Sequence, residues 1–165
     1  MNTRLSALFA LLVAGLLVLG GCSGGNPNIS AAEDAIEAGN NDQAIQSAEA
    51  ALEMDSTNAE AYSLIAQAYI NKAKNTMTPS ERSQFFTQAR EAQENAVRID
   101  PGTRGDVQQR RQVAYIQEMQ QGIDAFNTAR ESGDSTDYSQ AAAYFGGANA
   151  LEPDSLDAHL NEAYA

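Results

Sequence analysis

The segment AREAQENAVRIDP, residues 89–101, decides the fold, because its pattern occurs twice more in the chain. Residues 44–56 read AIQSAEAALEMDS, and residues 141–153 read AAAYFGGANALEP. In every copy alanine fills the first and eighth positions, an acid fills the twelfth, and serine or proline fills the thirteenth. The alanines share one face of a helix, where small side chains let two helices pack closely. The pattern therefore predicts three equivalent helices, each ended by the serine or proline.

The composition also favours an all-helical fold. The chain of 165 residues is rich in alanine and poor in strand formers, and it has no tryptophan and four prolines. Its 22 acidic and 10 basic side chains give a formal net charge of −12. This acidity argues against nucleic-acid binding, which needs a basic face, and against adhesion to anionic lipid headgroups. We expect no nucleic-acid partner, and we expect any membrane attachment to use a covalent lipid.

A second signature precedes the middle copy of the alanine pattern. Its two large positions are Tyr62 and Ile65, its small position is Ala66, and its aromatic position is Tyr69. A turn at 39–42, read GNND, precedes the first copy. Together these residues resemble the tetratricopeptide repeat, or TPR, a helical hairpin of about 34 residues. The resemblance covers about residues 30–165, and it implies a solenoid of stacked hairpins with a concave surface for protein partners.

The units of this solenoid are unequal in length. They span about 30–56, 57–101 and 102–153, and a partial unit follows at 154–165. Ala89 follows Ala44 by 45 residues and Ala141 follows Ala89 by 52, whereas the family repeat has about 34. We expect the surplus in two lengthened helices, one over 79–99 and one over 106–130. Two such helices would alternatively make a helical bundle of TPR ancestry.

Local signals predict where these helices begin and end. Thr78 reads as an N-cap with Glu81 reaching back to it, and Ser30 with Glu33 reads as the capping box of the first helix. Gly133 is suited to a helix C-terminus. An apolar seam at helical spacing is expected to face the core of the longest helix: Ile116, Met119, Ile123 and Phe126.

The N-terminus has the order of an export signal. Arg4 precedes the uncharged run 7–19, and Gly20 and Gly21 then precede Cys22, the one cysteine in the sequence. This order resembles the lipobox of bacterial lipoproteins, in which the cysteine thiol receives a diacylglycerol. The signal is then removed, and the cysteine becomes the acylated first residue. The alternative is an uncleaved anchor, because the uncharged segment 5–21 has 17 residues, the lower limit of about 17 for a bilayer span.

The lipoprotein resemblance implies a layout for the whole chain. Residues 1–21 would be the signal peptide, 22–29 a flexible polar tether, and 30–165 the TPR-like domain. A lone cysteine excludes an internal disulfide. The expected location is the bacterial cell envelope. Ser23 after the cysteine implies, by the sorting rules of enteric bacteria, the outer membrane facing the periplasm.

The first helices of TPR proteins supply the concave surface, so the register gives candidate partner-binding residues. These are Glu33, Ile36 and Glu37 in the first unit, and Glu60, Ser63, Gln67, Ile70 and Asn71 in the second. They lack the basic residues with which chaperone-binding TPRs clamp a terminal carboxylate. The resemblance therefore implies a non-catalytic adaptor or scaffold in envelope assembly. Its protein partner would present a basic or neutral segment.

Two other functions are open at this point. An exported hydrolase would use Ser135, in a GDS sequence, and His159, the one histidine. Such a serine needs a strand-to-loop setting and an oriented base, whereas this one joins two predicted helices. A passive spacer without a specific partner is the other alternative. The acids from Asp134 to Asp137 lack the glycine and glutamate of a calcium loop. We expect no catalytic residue, no metal and no cofactor beyond the lipid on Cys22.

The last ten residues, 156–165, resemble the opening of a further first helix. No second helix or polar capping helix follows them in the sequence. We expect either that the sequence continues in a longer protein or that another chain covers this end of the array.

Overall fold

A computed structural model describes residues 26–155 of the chain, which form six α-helices. They are α1 (Pro27–Glu37), α2 (Asn41–Met54), α3 (Ala59–Lys74), α4 (Pro79–Ile99), α5 (Arg104–Ser132) and α6 (Ser135–Leu151), with a 3-10 turn at Pro101–Thr103. The described residues contain no strand, so the predicted all-helical class is confirmed. The predicted signal peptide, Cys22 and the segment 156–165 lie outside the described residues.

The three copies of the alanine pattern form α2, α4 and α6. The alanines at their first and eighth positions have no exposed surface: Ala44, Ala51, Ala89, Ala96, Ala141 and Ala148. Each helix ends immediately before the acid. The backbone N–H of that acid donates to the carbonyl of the eighth-position alanine at 2.8–3.0 Å. The sequence pattern is therefore also a repeat of burial and of helix ending.

The hairpins join one another in two different ways. Consecutive helices pair as α1 with α2, α3 with α4, and α5 with α6. The second hairpin joins the first mainly through α3, which packs on α2, whereas the third joins the second mainly through α6, which packs on α4. Helices α4 and α5 contact each other little. The long α5 consequently has open space on both sides of its N-terminal half.

Two glycines let α6 approach its neighbours closely. A Cβ at Gly122 of α5 would lie 2.5–2.9 Å from ring atoms of Phe145 on α6. A Cβ at Gly147 of α6 would lie 3.0 Å from the ring of Phe86 on α4. Both phenylalanines are buried. Since these distances leave no room for a methyl group, the contacts of the third hairpin depend on glycine at both positions.

The buried face of α5 differs from the apolar seam that the spacing predicts. Ile116 and Ile123 are 55% and 41% exposed, while Ala114, Glu118 and Gly122 are buried. The prediction was wrong for both isoleucines. Close packing against α6 selects for small side chains, and hydrophobic periodicity does not detect a glycine or a buried acid.

A buried ion pair links α4 to α5. The Arg82 guanidinium donates from Nε and Nη2 to the two carboxylate oxygens of Glu118, at 2.7 and 2.8 Å, and both side chains are 2% exposed. Nη1 of Arg82 donates to the carbonyls of Ala73 and Thr76, and the guanidinium lies over the ring of Tyr144. Burial raises the pKa of Glu118, while the hydrogen bonds and charge of Arg82 act to lower it. The pair therefore connects two helices that otherwise contact each other little.

Helix α1 begins three residues before its predicted start at Ser30. The Asn26 side chain caps it by accepting the N–H of Asn28 at 3.0 Å, and a proline fills the first turn, where no N–H is needed. Ile29 is 6% exposed and belongs to the core. The predicted tether is therefore too long at its C-terminal end, because the cap and first turn of α1 occupy its last four residues.

The other predicted boundaries are close to the observed ones. Helix α4 has the predicted bounds, and α5 is two residues longer at each end than predicted. Thr78 occupies the N-cap position of α4, but its side chain makes no capping hydrogen bond. Glu81 instead accepts the hydroxyl of Thr76 at 3.0 Å. Gly133 ends α5 with a positive φ of 69°, as expected for a glycine at this position.

Candidate functional site

An open groove of about 410 Å³ lies between α3 and α5. Helix α3 contributes Gln67, Ile70 and Lys74, whose spacing places them on one face of the helix. The facing wall of α5 consists of Asp106, Gln109, Arg110, Val113, Ala114 and Gln117. Two of the predicted partner-binding residues, Gln67 and Ile70, therefore face a wall that the sequence did not assign to the site.

A smaller cavity of about 20 Å³ adjoins this groove and shares part of its lining. Ser63, a further predicted residue, lies here with Gln93 of α4 and Val107 of α5. The Ser63 hydroxyl donates to the carbonyl of Ala59 on its own helix at 3.0 Å. The structure thus brings Ser63, Gln67 and Ile70 to one surface.

The charge of the groove differs from the sequence-based expectation. Lys74 and Arg110 provide two positive charges and Asp106 provides one negative charge. The predicted surface lacked basic residues because it was taken from the first two units alone, and α5 adds Arg110 to the groove. The groove obtains its amide groups from Gln67, Gln109 and Gln117. A segment that binds here would meet amides, an apolar strip and two cations.

Asn71 supports the groove from one side. Nε2 of Gln67 donates to Oδ1 of Asn71, and Nδ2 of Asn71 donates to Oδ1 of Asn41, both at 3.1 Å. Asn41 lines a separate cavity of about 560 Å³ beside the α1–α2 turn. There Lys72 pairs with Asp42. Because Asn71 is itself held by Asn41, its hydrogen bond with Gln67 orients the Gln67 amide.

The other predicted residues do not join the groove. Ile36 is half-buried and packs against a core cluster of α1, α2 and α3. Glu33, Glu37 and Glu60 are exposed, and none of them lines the groove or its neighbouring cavities. The predicted set of eight residues is thus divided between the groove, the core and open surface.

The α5 wall was missed by sequence reasoning, although a signal for it exists. Asp106, Arg110, Val113 and Gln117 are spaced by four, three and four residues. Ser63, Gln67, Ile70 and Lys74 on α3 have the same spacing. Extending the first-helix register into the third unit would have selected these α5 positions.

The residues of the hydrolase alternative form a helix start. Asp134 is the N-cap of α6 and accepts the N–H of Thr136 at 2.8 Å, which lowers the pKa of Asp134. Ser135 is exposed in the first turn of α6, and Asp137 accepts the hydroxyl of Ser132 at 2.7 Å. His159 lies outside the described residues. Within residues 26–155, no three histidine, cysteine or acidic side chains are grouped to hold a metal ion.

Neither the protein-family models nor the curated proteins compared with this chain match it. Among the six described helices, none has the length and hydropathy that crossing a bilayer requires.

Proposed function

We propose that this chain is a lipid-anchored, non-catalytic adaptor of the TPR type that holds a protein partner at the bacterial envelope. The observation that carries the proposal is the open groove between the first helices of two successive hairpins, α3 and α5. The recurrence of one burial and helix-ending pattern in α2, α4 and α6 supports the TPR-type arrangement.

The lining of the groove suits an extended peptide segment. Amides such as Gln67 and Gln117 can each donate to and accept from a peptide backbone. Ile70 and Val113 offer apolar contact, and Val113 is 50% exposed. Burying that surface on a partner is favourable by roughly 25 cal/mol per Å². Lys74 beside this strip would favour a neutral or acidic segment.

Site-specific crosslinking in the native host tests the groove. A photo-crosslinking amino acid at Gln109, in the groove wall, is expected to capture a discrete partner. The same residue at Gln112, exposed on the same helix and outside the groove lining, serves as the position control. Capture at Gln109 should be lost with Val113→Glu, because a carboxylate in the apolar strip opposes docking.

The matched control for that loss is Ile116→Glu. Ile116 is 55% exposed on α5 and does not line the groove, so this variant introduces the same charge three residues away. Capture at Gln109 should survive Ile116→Glu. Equal capture from Gln109 and Gln112, or equal loss with both glutamate variants, would show that the groove is not the docking surface.

The lipid anchor has an independent test. Cys22 follows an export segment and two glycines, so mass spectrometry of the mature N-terminus should find an acylated cysteine. Cys22→Ala should release the protein from membranes on mild washing. An N-terminus that is intact at Met1 and unacylated would remove the lipoprotein part of the proposal and leave the groove unaffected.

A further inference from the structure

A second cleft, of about 420 Å³, lies between α4 and α5. It forms because the two helices leave their connecting turn and contact each other little. Three arginines and two valines are among its lining residues: Arg98, Arg104, Arg111, Val97 and Val107. These are three of the eight arginines in a chain whose net charge is −12. The cleft is thus a basic concavity on an acidic protein.

Two of the three arginines of this cleft are not paired with an acid among the described residues. Among residues 26–155, neither Arg98 nor Arg104 forms an ion pair. Glu94, the acid in the cleft lining, is bound by Arg90 one turn earlier at 2.6 Å. Arg111 uses Nε to bind Glu152 at 2.9 Å, and an arginine has further N–H donors. The guanidinium groups therefore retain capacity for carboxylates.

Arg104 is placed against the preference of its own helix. It is the first residue of α5, where the helix dipole is positive and disfavours a cation. The N-cap residue Thr103 makes no side-chain capping bond there. Helix stability therefore does not explain an arginine at this position, and its exposed guanidinium is available to an external carboxylate.

Gln93 supplies a second, independent observation in the same cleft. Its side chain is 5% exposed, and its Oε1 atom is buried without a hydrogen-bond partner in the described residues. An unpaired buried acceptor is costly, so the position is explained if a bound molecule supplies the donor. Gln93 lines both this cleft and the small cavity next to the α3–α5 groove.

We propose that the α4–α5 cleft binds an extended acidic peptide segment of a partner protein. Guanidinium groups bind carboxylates through paired hydrogen bonds, and the valines contact the aliphatic parts of the segment. When the Gln93 side chain turns toward the cleft that it lines, a backbone N–H of the peptide donates to its Oε1 atom. The phosphate of an anionic lipid supplies acceptors alone, so a peptide matches the whole lining better. This site is separate from the α3–α5 groove and goes beyond the proposed adaptor function.

Fluorescence anisotropy with the full-length chain tests the cleft. The probe is a labelled ten-residue peptide of alternating glutamate and alanine, and the comparison peptide has glutamine in place of glutamate. The glutamate peptide should bind saturably, and added NaCl should weaken it by screening. The glutamine peptide should bind about tenfold more weakly or worse, because it loses the charge-assisted hydrogen bonds.

Variants locate the binding to this cleft. Arg104→Gln should weaken the glutamate peptide about tenfold, while Arg130→Gln, which removes an equal charge at the other end of α5, should leave binding nearly unchanged. Gln93→Met should raise the melting temperature by removing an unpaired buried acceptor, and it should also lower the affinity. Stabilisation combined with weaker binding is not expected of a purely structural glutamine.

Three results would overturn the proposal. Equal losses with Arg104→Gln and Arg130→Gln would reduce the effect to net charge. Loss with Arg110→Gln in place of Arg104→Gln would move the site to the α3–α5 groove. Arg104-dependent binding to phosphatidylglycerol vesicles, with no binding of the glutamate peptide, would make the cleft a lipid site.

Discussion

The packing of the first two hairpins differs in kind from the packing of the third hairpin. In the core around α1, α2 and α3, alanines and isoleucines form the packed apolar clusters. The α5–α6 hairpin instead uses Gly122, Gly147 and the buried pair of Arg82 with Glu118. The first set of contacts follows from a local pattern of small residues. The second set needs particular partners on distant helices, so the third hairpin should respond more strongly to single substitutions.

The largest effect is expected when the buried ion pair is broken. Arg82→Met leaves the Glu118 carboxyl buried without the guanidinium that binds it, and it also removes the hydrogen bonds to the carbonyls of Ala73 and Thr76. Urea denaturation should show a loss of about 3–5 kcal/mol in the free energy of unfolding. The double variant Arg82→Met with Glu118→Leu should recover most of that loss, because apolar replacement removes both buried charges.

An exposed ion pair provides the matched control for this experiment. Glu94, in its pair with Arg90, is 55% exposed. Glu94→Gln should therefore change the free energy of unfolding by no more than about 0.5 kcal/mol. If Arg82→Met and Glu94→Gln cost the same, burial does not distinguish the ion pair of the third hairpin from an exposed one.

A somewhat smaller effect should follow from adding one methyl group to α5. Gly122→Ala places a Cβ against the Phe145 ring, and overpacking of this kind costs about 1–3 kcal/mol. Gly105→Ala on the same helix meets no atom within 4 Å, so it should produce a gain of up to about 1 kcal/mol. Thermal unfolding of both variants measures the difference. A stabilising Gly122→Ala would contradict the close approach of α5 and α6.

Local signals explain how much of this fold could be read from the sequence. Burial of Ala89, the start of α4 at Pro79 and the positive φ of Gly133 each depend on neighbouring residues of the same chain segment. The inward orientation of Glu118 depends on Arg82, which lies 36 residues earlier. No local pattern contains that pairing, and hydrophobic spacing favoured Ile116 instead.

One wall of the candidate site was predicted from the sequence, and the facing wall was not. The register of one helix identified Gln67 and Ile70, because positions on one helical face are fixed by spacing. The facing wall depends on how α5 is placed across α3, and Arg110 was not selected for that reason. The basic cleft between α4 and α5 depends on two helices separating after their turn, which a residue pattern does not encode.

The pH dependence of the free energy of unfolding should reveal the contribution of Glu118 to the third hairpin. Burial raises its pKa above the usual value of 4.5 in the folded protein. The folded state therefore keeps this proton to a higher pH than the unfolded state does. The resulting stabilisation is fully present below the unfolded pKa and is lost as pH rises through the folded pKa.

The measurement is urea denaturation over a pH series from neutral down to the unfolded pKa. The wild-type chain should gain more stability on acidification than the Arg82→Met, Glu118→Leu double variant, which lacks the titrating group. Other carboxylates are common to both proteins, so their contribution cancels in the difference. A difference that stays constant across the series would remove Glu118 as the source.

The smallest expected effects concern two helix caps in the second hairpin. Asn58 and Thr78 occupy the N-cap positions of α3 and α4, and both residue types are preferred at such positions. The Asn58 side chain accepts the N–H of Ala61 at 2.9 Å, whereas the Thr78 side chain makes no capping bond. Asn58→Ala should therefore cost about 1 kcal/mol, and Thr78→Ala should cost less than about 0.5 kcal/mol. Chemical denaturation of the two single variants compares them directly. Equal costs would mean that the Thr78 side chain caps α4 in solution. The N-cap preference of threonine would then hold at the start of α4, where the structure shows no capping bond.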